Sequence, residues 1–235
     1  MSVRSFAAAA LVIASGLCVS SFSSARPDPS PTTPFDSASN AAAVQQLARG
    51  QLVRRSAADG PLTDDDRARL GSFGMGTAAA IVVLHRIPKA DARQLARLRQ
   101  LAHGLDGFAP SGACDDIVAE GDGEGLCLGS VDGPLGRVPV RMPVAAKLTE
   151  DPRGPVRLVI HNQRDMEIKA LFSWSSVVPK DRLKVVYEMW PAGDTWLVYT
   201  AVGVEMTSHK GSAAKISDAL LKLEGWLTTE LARRG

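Results

Sequence analysis

The chain has 235 residues, of which 45% are hydrophobic and 22% are charged, and its formal net charge is +2 at pH 7. This length and composition are typical of one globular domain with short appendages. A nearly neutral chain argues against a nucleic-acid binder, because such a protein needs a basic face to neutralise phosphates. We therefore expect one folded domain and no nucleic-acid partner.

The N-terminus, residues 1–25, has the three parts of a secretory signal peptide. Arg4 supplies a positive charge, residues 6–19 form an apolar run, and small residues precede a cleavage site after Ala25. A membrane anchor is the alternative, but the apolar run is shorter than the ~20 residues that a spanning helix needs. Lipidation of Cys18 is a further alternative, although the residue before it is large. The segment predicts export to the periplasm or the extracellular space.

Residues 26–46 predict a proline-rich linker followed by a weak helix. The first part, 26–36, has too few apolar residues to build a core, so we expect an extended linker. The segment AAAVQQLARG, which ends at Gly50, has a short helical pattern. The folded domain is accordingly expected to cover residues 47–235.

A strand, a short acidic segment, a second strand and a helix follow in that order. QLVRRS (51–56) predicts the first strand, and the acidic run at 63–66 predicts either a capped short helix or a solvated loop. AAAIVVLHRI (78–87) is rich in β-branched residues and predicts a strand. Asp91 is a candidate cap for a helix over 92–105, in which leucines recur along one face.

Two cysteines lie after the signal segment, Cys114 and Cys127, and they flank the glycine-rich stretch EGDGEG. In an oxidising compartment an isolated pair is most simply a structural disulfide. A hairpin that turns near Glu120-Gly121 would bring the two cysteines together, and closing a loop of this size stabilises by about 3 kcal/mol in the chain-entropy model. The alternative, a redox-active pair, lacks CxxC spacing and a neighbouring His or Lys.

From residue 138 to Met206 the chain predicts an antiparallel meander. Strand patterns with period-2 alternation, separated by turn residues, cover 138–148, 155–162, 166–178, 182–190 and 195–206. Pro139 and Pro143 cannot donate ladder hydrogen bonds, so the first of these strands is expected at an edge or with a bulge. In 166–178 one continuous strand is expected, with Phe172 and Trp174 on its apolar face.

The last element is a helical pattern over 213–233 with an apolar stripe. Its members are Ile216, Leu220, Leu223, Trp226 or Leu227, and Leu231. Gly225 inside the helix costs about 1 kcal/mol relative to Ala, so it either permits a close approach or has no role. A sheet with one apolar face and a helix with one apolar stripe must bury the two surfaces together.

The order of these elements resembles the START-like superfamily of lipid-transfer and polyketide-cyclase-related domains. AAAIVVLHRIPKADARQLARL looks like the first strand, proline and helix of the family, and GFAP resembles its turn into the second strand. LFSWSSVVPKDRLKVVYEMW is similar to the strand pair of the family in which an aromatic-containing strand precedes a tyrosine-containing one. ISDALLKLEGWLTTELARR looks like its gripping helix. The likeness covers about residues 47–234.

The resemblance implies an α+β helix-grip fold, in which a curved antiparallel sheet wraps around the long C-terminal helix and encloses an apolar cavity. It implies a protein that binds or carries a hydrophobic small molecule such as a lipid, without a cofactor. Seven residues are the candidates for ligand contact, and an ordinary filled core is the alternative for each of them. They are Phe172, Trp174, Tyr187, Met189, Leu220, Leu223 and Leu227.

The sequence contains no HExxH, HxH or GxSxG motif, so neither a metal site nor a catalytic site is expected. The four histidines are scattered, at His85, His103, His161 and His209. His85 is placed by strand parity on the cavity face, where it is either a structural histidine or a hydrogen-bonding partner for a ligand head.

Two functional alternatives therefore stay open beside the binding protein. One is a structural or interaction module with a filled core, and the other is a cyclase-type or hydrolase-type enzyme that uses a polar residue in the cavity. The arginines at 233 and 234 are candidates for transient contact with anionic lipid, or else form a solvated helix end. We expect a monomer.

Overall fold

The computed structural model describes residues 33–56, 60–89, 92–133, 136–151, 154–170, 172–206 and 213–232. The expected signal peptide, Cys18 and the first part of the linker lie outside the described residues. The same holds for His209, for the candidate cap Asp91 and for the terminal arginines 233 and 234.

Helices and strands alternate in the first half of the chain, and strands then dominate up to the last helix. After a 3-10 turn, Ala38–Asn40, the helices are α1 (Ala41–Ala48), α2 (Asp64–Ser72), α3 (Ala92–Gly104) and α4 (Ala213–Ala232). The strands are β1 (Val53–Arg55), β2 (Ile81–Pro88), β3 (Asp116–Gly121), β4 (Glu124–Gly133), β5 (Gly136–Glu150), β6 (Val156–Asn162), β7 (Met166–Ala170), β8 (Ser173–Val178), β9 (Leu183–Ala192) and β10 (Thr195–Val204).

All of these strands belong to one antiparallel sheet with the order β1-β2-β10-β9-β6-β5-β4-β3. The β7–β8 hairpin branches from this path, because β7 pairs with β5 at Val140 and Arg141. β9 and β10 are joined at Gly193-Asp194, where Gly193 adopts the positive φ of 62° that a tight hairpin turn needs. The protein is therefore α+β, with a large open antiparallel sheet and one long C-terminal helix, as the sequence predicts.

The inner face of the sheet packs against α4. On β9 the residues Leu183, Val185, Tyr187 and Met189 alternate along the strand and are buried in the main core. The apolar stripe of α4 enters the same core through Ile216, Leu220, Leu223, Leu227 and Leu231. At the position that the sequence left open, Leu227 is fully buried and Trp226 is only partly buried. The amphipathic helix across the sheet is confirmed.

The outer face of the sheet is covered as well, by the elements that precede β2. Val186, Trp190 and Tyr199 from β9 and β10 pack against Phe35 and Leu70 in a second core. Residues 34–46, expected as a linker with a weak helix, therefore belong to the folded body, and α1 is well defined. The sequence does not predict that this segment is folded, because its few apolar residues are buried only through contacts with the distant sheet.

Glu188 is buried on this outer face, where a half-buried strand would leave it solvated. It accepts hydrogen bonds from Arg69 Nε at 3.0 Å and from Arg157 Nε at 2.6 Å. A carboxylate removed from water is tolerated only when cations and hydrogen bonds compensate it. Arg69 comes from α2, so this cluster fastens the outer layer to the sheet.

The acidic run at 63–66 forms the start of α2 and not a solvated loop. The Thr63 hydroxyl accepts a hydrogen bond from Asp66 N, and the Asp66 carboxylate accepts one from Thr63 N, which is a capping box. Asp66 is buried and forms an ion pair with Arg55 of β1 at 2.8 Å. The capped helix is confirmed, and its cap also fixes β1.

The single strand expected over 166–178 is wrong. Ala170 pairs with Ser173, so the chain reverses between these residues and forms the β7–β8 hairpin. Phe172 lies at the tip with 99% of its surface exposed, and Trp174 is 37% exposed beneath the guanidinium of Arg141, 4.3 Å from the ring centroid. The alternation of apolar residues continues across a turn, and for that reason the sequence pattern concealed the reversal.

The prolines predict that β5 lies at an edge or has a bulge, but β5 is an interior strand, and its register with β4 and β6 is continuous. It pairs with β4 along one side, and with β7 and then β6 along the other. The carbonyl of Pro143 accepts a hydrogen bond from Gln163 N, so the proline ring faces the gap where pairing passes from β7 to β6. Pro143 therefore lies at a position of β5 where a backbone N–H would have no strand partner to donate to.

Candidate functional site

A cleft opens between the N-terminal half of α4 and the part of the sheet that contains β4 and β5. Its volume is about 270 Å³. Its apolar wall consists of Val131, Val140, Met142, Met166, Ile216, Ala219 and Leu220. Another cleft, of about 220 Å³, lies on the outer face beside α2. The cleft at α4 is the candidate site because it lies at the interface between the C-terminal helix and the sheet and has an apolar wall.

The disulfide forms part of the cleft wall. Cys114 and Cys127 are bonded, with a Cα–Cα distance of 5.7 Å, and both line the cavity. The β3–β4 hairpin turns at Asp122-Gly123, close to the expected position, and Gly123 N donates to His103 O at 2.8 Å. The expected disulfide is confirmed, and it holds the hairpin against the core.

Two basic side chains and one acidic side chain stand at the polar rim of the cleft. Arg137 Nη2 lies 3.6 Å from Asp115 Oδ2, which also accepts a hydrogen bond from Ser130 at 3.0 Å. Lys222 of α4 stands beside Gly112, where an added Cβ would lie 4.0 Å from Lys222 Cδ. Within the described part of the chain the Lys222 amine has no ion pair or hydrogen bond.

The seven residues expected to contact a ligand do not come together at this cleft. Leu220 lines it. Tyr187, Met189, Leu223 and Leu227 are buried in the packed core beneath α4. The alternative of a filled core therefore describes these four residues in the structure.

The placement of the remaining two residues on a cavity wall is wrong. Phe172 and Trp174 belong to the β7–β8 hairpin and are not among the residues around the cleft. The physical reason is the reversal between Ala170 and Ser173, which carries both aromatic side chains away from α4.

The sequence missed most of the cleft wall because that wall comes from strand ends and a hairpin that are distant along the chain. Val140 and Met142 of β5 share the parity that the sequence assigns to a buried face, which was the available signal. Met166 reaches the cleft only because β7 branches from β5. Flexible methionine side chains adapt to irregular cavities, so Met142 and Met166 suit such a wall.

A buried polar cluster lies further along α4, away from the cleft. His85 of β2 faces Glu224 and Thr228 of α4, which confirms its expected position on the inner face. His85 Nδ1 is 3.1 Å from Glu224 Oε1, and His85 Nε2 is 3.1 Å from Thr228 Oγ1. The Thr228 hydroxyl donates to Glu224 Oε1, also at 3.1 Å.

Burial shifts the acid–base equilibria of this cluster. It lowers the pKa of His85 to about 4, so the imidazole is neutral near pH 7. It raises the pKa of Glu224 to about 7, against the opposing effect of the hydrogen bond from Thr228. Burial also raises the pKa of Tyr187, against the opposing effect of the nearby Thr228 hydroxyl. None of these three residues lines the cleft.

The other described histidines lie near the surface with carboxylate partners. His103 Nδ1 is 2.6 Å from Asp122 Oδ1, and His161 Nε2 is 3.6 Å from Asp181 Oδ1. In the described ranges no group of three or more His, Cys, Asp or Glu side chains is arranged to hold a metal ion. Of the helices described, none is long and apolar enough to cross a membrane.

Comparison with known proteins yields only remote likenesses. No protein-family model matches the chain, and no curated protein matches it. Similar solved structures include the Mll3558 protein from Rhizobium loti, with 10% identity over 77% of this chain and 99% of that chain at a TM-score of 0.40. A protein from Nitrosospira multiformis has 15% identity over 64% of this chain and 95% of that chain, with a TM-score of 0.37. At these values the likenesses carry no argument about fold or function.

Proposed function

We propose that the protein is an exported member of the START-like superfamily that binds a hydrophobic small molecule, such as a single-chain lipid, in the cleft beside α4. The observation that carries the proposal is the cleft between the C-terminal helix and the sheet, which has an apolar wall and a charged rim. Its volume of about 270 Å³ lies just below the roughly 300–1,000 Å³ of common small-molecule pockets, which favours a small or single-chain ligand.

The topology supports the same assignment. β2 is the neighbour of β10, the strands from β3 to β6 follow one another in space, and α4 lies across the inner face. This arrangement is consistent with the helix-grip fold. The disulfide supports export, because such bonds persist in oxidising compartments.

The ligand gains its free energy by removing apolar surface from water. Buried apolar area contributes roughly 25 cal/mol per Å². Because Met142, Met166 and Leu220 are already buried in the protein, most of this gain comes from the apolar surface of the ligand itself. Tyr187 and Leu223 are buried in the core beneath α4, and the cleft lies beside the N-terminal half of the helix. The proposed ligand therefore lies along the side of α4.

The test is to measure decanol binding by calorimetry for the wild-type protein and for two variants of α4. Ala219→Trp places an indole in the cleft and is expected to abolish binding, whereas Thr229→Trp adds the same group at an exposed position of the same helix and should leave binding unchanged. Thermal unfolding of both variants checks that they fold, and Ala219→Phe is the milder substitute if the first does not. Absence of binding to the folded wild-type protein, or equal binding by the folded Ala219→Trp variant, refutes the proposal.

A further inference from the structure

The rim of the cleft carries more positive than negative charge, and one of its cations is uncommitted. Among the described residues that line the cleft, Arg137 and Lys222 are basic and Asp115 is acidic. Because the Lys222 amine has no partner among the described residues, it is available to a ligand that leaves the cleft at this point. Lys222 is exposed at the mouth of the cleft, and its side chain passes near Gly112, where an added Cβ would lie 4.0 Å from Lys222 Cδ.

Arg137 has hydrogen-bonding capacity to spare. A guanidinium has five N–H donors, and among the described side chains Arg137 forms an ion pair with Asp115 at 3.6 Å. Asp115 is partly satisfied by Ser130, whose hydroxyl donates at 3.0 Å. An incoming anion thus meets one free cation and a second cation that can share its donors.

We propose that the cleft selects amphiphiles with a negatively charged head, such as a fatty-acid carboxylate, over uncharged or cationic amphiphiles of equal chain length. The apolar tail lies against Met142 and Met166, and the head pairs with Lys222 and Arg137 at the rim. This inference rests on the proposed function, since it names the ligand class of the same cleft. The two basic residues come from opposite walls, β5 and α4, so a bound head group would bridge them.

The experiment compares decanoate, decanol and decylamine by calorimetry at pH 8 and low salt, since the three probes share one chain length and differ in head-group charge. Decanoate is expected to bind about fivefold more tightly than decanol, the size of effect that solvent-exposed ion pairs give. Decylamine should bind more weakly than decanol. Raising the salt concentration should reduce the preference for decanoate and leave decanol binding unchanged.

Variants at the rim test whether each charged residue increases or decreases the preference for decanoate. Lys222→Gln should abolish most of the preference for decanoate, whereas Asp115→Asn frees Arg137 and should increase it. Lys147→Gln removes the same charge from an exposed site on β5 away from the cleft and serves as the control. Decanol binding reports whether each variant has kept its cleft.

The outcomes separate this inference from the proposed function. If none of the three probes binds, the proposed function fails, and this inference fails with it. If decanol and decanoate bind equally, or decylamine binds best, the cleft is a ligand site but its selectivity for anions is refuted. If Lys147→Gln reduces the preference as much as Lys222→Gln does, the effect comes from net charge and not from the rim, which also overturns the inference.

Discussion

His85 on β2 and Glu224 on α4 face each other inside the protein, with Nδ1 and Oε1 3.1 Å apart. The Thr228 hydroxyl lies 3.1 Å from both His85 Nε2 and Glu224 Oε1, so the three side chains form one buried polar cluster. Burial raises the pKa of Glu224 to about 7, because removal from water disfavours the charged carboxylate. Burial lowers the pKa of His85 to about 4 for the same reason.

Glu224→Gln should change the pH dependence of stability. The folded-state pKa of Glu224 is raised from 4.5 to about 7, so its contribution is present at low pH and is lost as pH rises through 7. The folded-state pKa of His85 is lowered from 6.5 to about 4, so its contribution is present above 6.5 and is lost as pH falls towards 4. Between 4.5 and 6.5 these two slopes oppose each other in the wild-type protein. The variant should leave a free energy of unfolding that rises with pH across this window, measured by urea unfolding.

His85→Gln is the counterpart and should leave the opposite slope. With only Glu224 titrating, the free energy of unfolding should fall as pH rises from 4.5 to 7, by up to about 3 kcal/mol for a shift of this size. The double variant should have neither slope. Parallel stability curves for the wild-type protein and both single variants would contradict the assignment of the two protonation states.

Two glycines of the α4 interface should respond in opposite directions to Ala. Gly225 is exposed and has open space around an added Cβ, so Gly225→Ala should stabilise the protein by up to about 1 kcal/mol through helix propensity. At Gly107 an added Cβ would lie 2.5 Å from Trp226 Cζ3, so Gly107→Ala should destabilise by about 1–3 kcal/mol. Thermal unfolding measures both, and a stabilised Gly107→Ala variant would contradict the close packing of this loop on α4.

Truncating Phe172 and truncating Leu223 should have very different effects on stability, because one side chain lies on the surface hairpin and the other in the core. Phe172→Ala should change the free energy of unfolding by no more than about 0.5 kcal/mol, because the side chain is exposed at the hairpin tip. Leu223→Ala should destabilise by about 2–5 kcal/mol, because it opens a cavity beneath α4. Urea unfolding of the two variants makes the comparison. A large loss for Phe172→Ala would mean that this ring belongs to the core after all.

Replacing both cysteines by Ser should lower stability and ligand affinity together. The two sulfurs are 13 residues apart in sequence, and a loop of this size is worth about 3 kcal/mol in the chain-entropy model. Both residues also line the cleft, so the β3–β4 wall is less well held in their absence. Thermal unfolding and decanol calorimetry measure the two effects. Unchanged decanol affinity in a destabilised but folded variant would place the ligand elsewhere.

The sequence predicts the inner half of the fold well and the outer half poorly. The stripe of α4 and the alternation in β9 are local patterns, and both appear in the structure with the expected buried faces. Phe35 and Glu188 are two residues whose burial the sequence does not predict. Phe35 is isolated in a proline-rich stretch, and Glu188 lies on the face of its strand where the alternation predicts solvent exposure. Each is buried only because α1 and α2 fold back over the sheet, a long-range contact without a local signal.

The candidate site was predictable in kind but not in detail. A meander followed by an amphipathic helix predicts an interface that could contain a cavity, and a cleft does lie along that interface. Tyr187 and Leu223 fill the centre, however, and the opening is displaced towards the disulfide hairpin. A side-chain alternation gives the face on which a residue lies, but not whether its neighbours fill the space beside it.

The most direct test of the account is a titration of the protein with decanoate, followed through the NMR signals of its methionine methyl groups. Met142 and Met166 line the cleft, whereas Met189 is buried in the packed core. We expect the signals of Met142 and Met166 to shift in a saturable manner, while that of Met189 stays in place. A shift confined to Met189, or no shift at all in the folded protein, would contradict the assignment of the cleft as the ligand site.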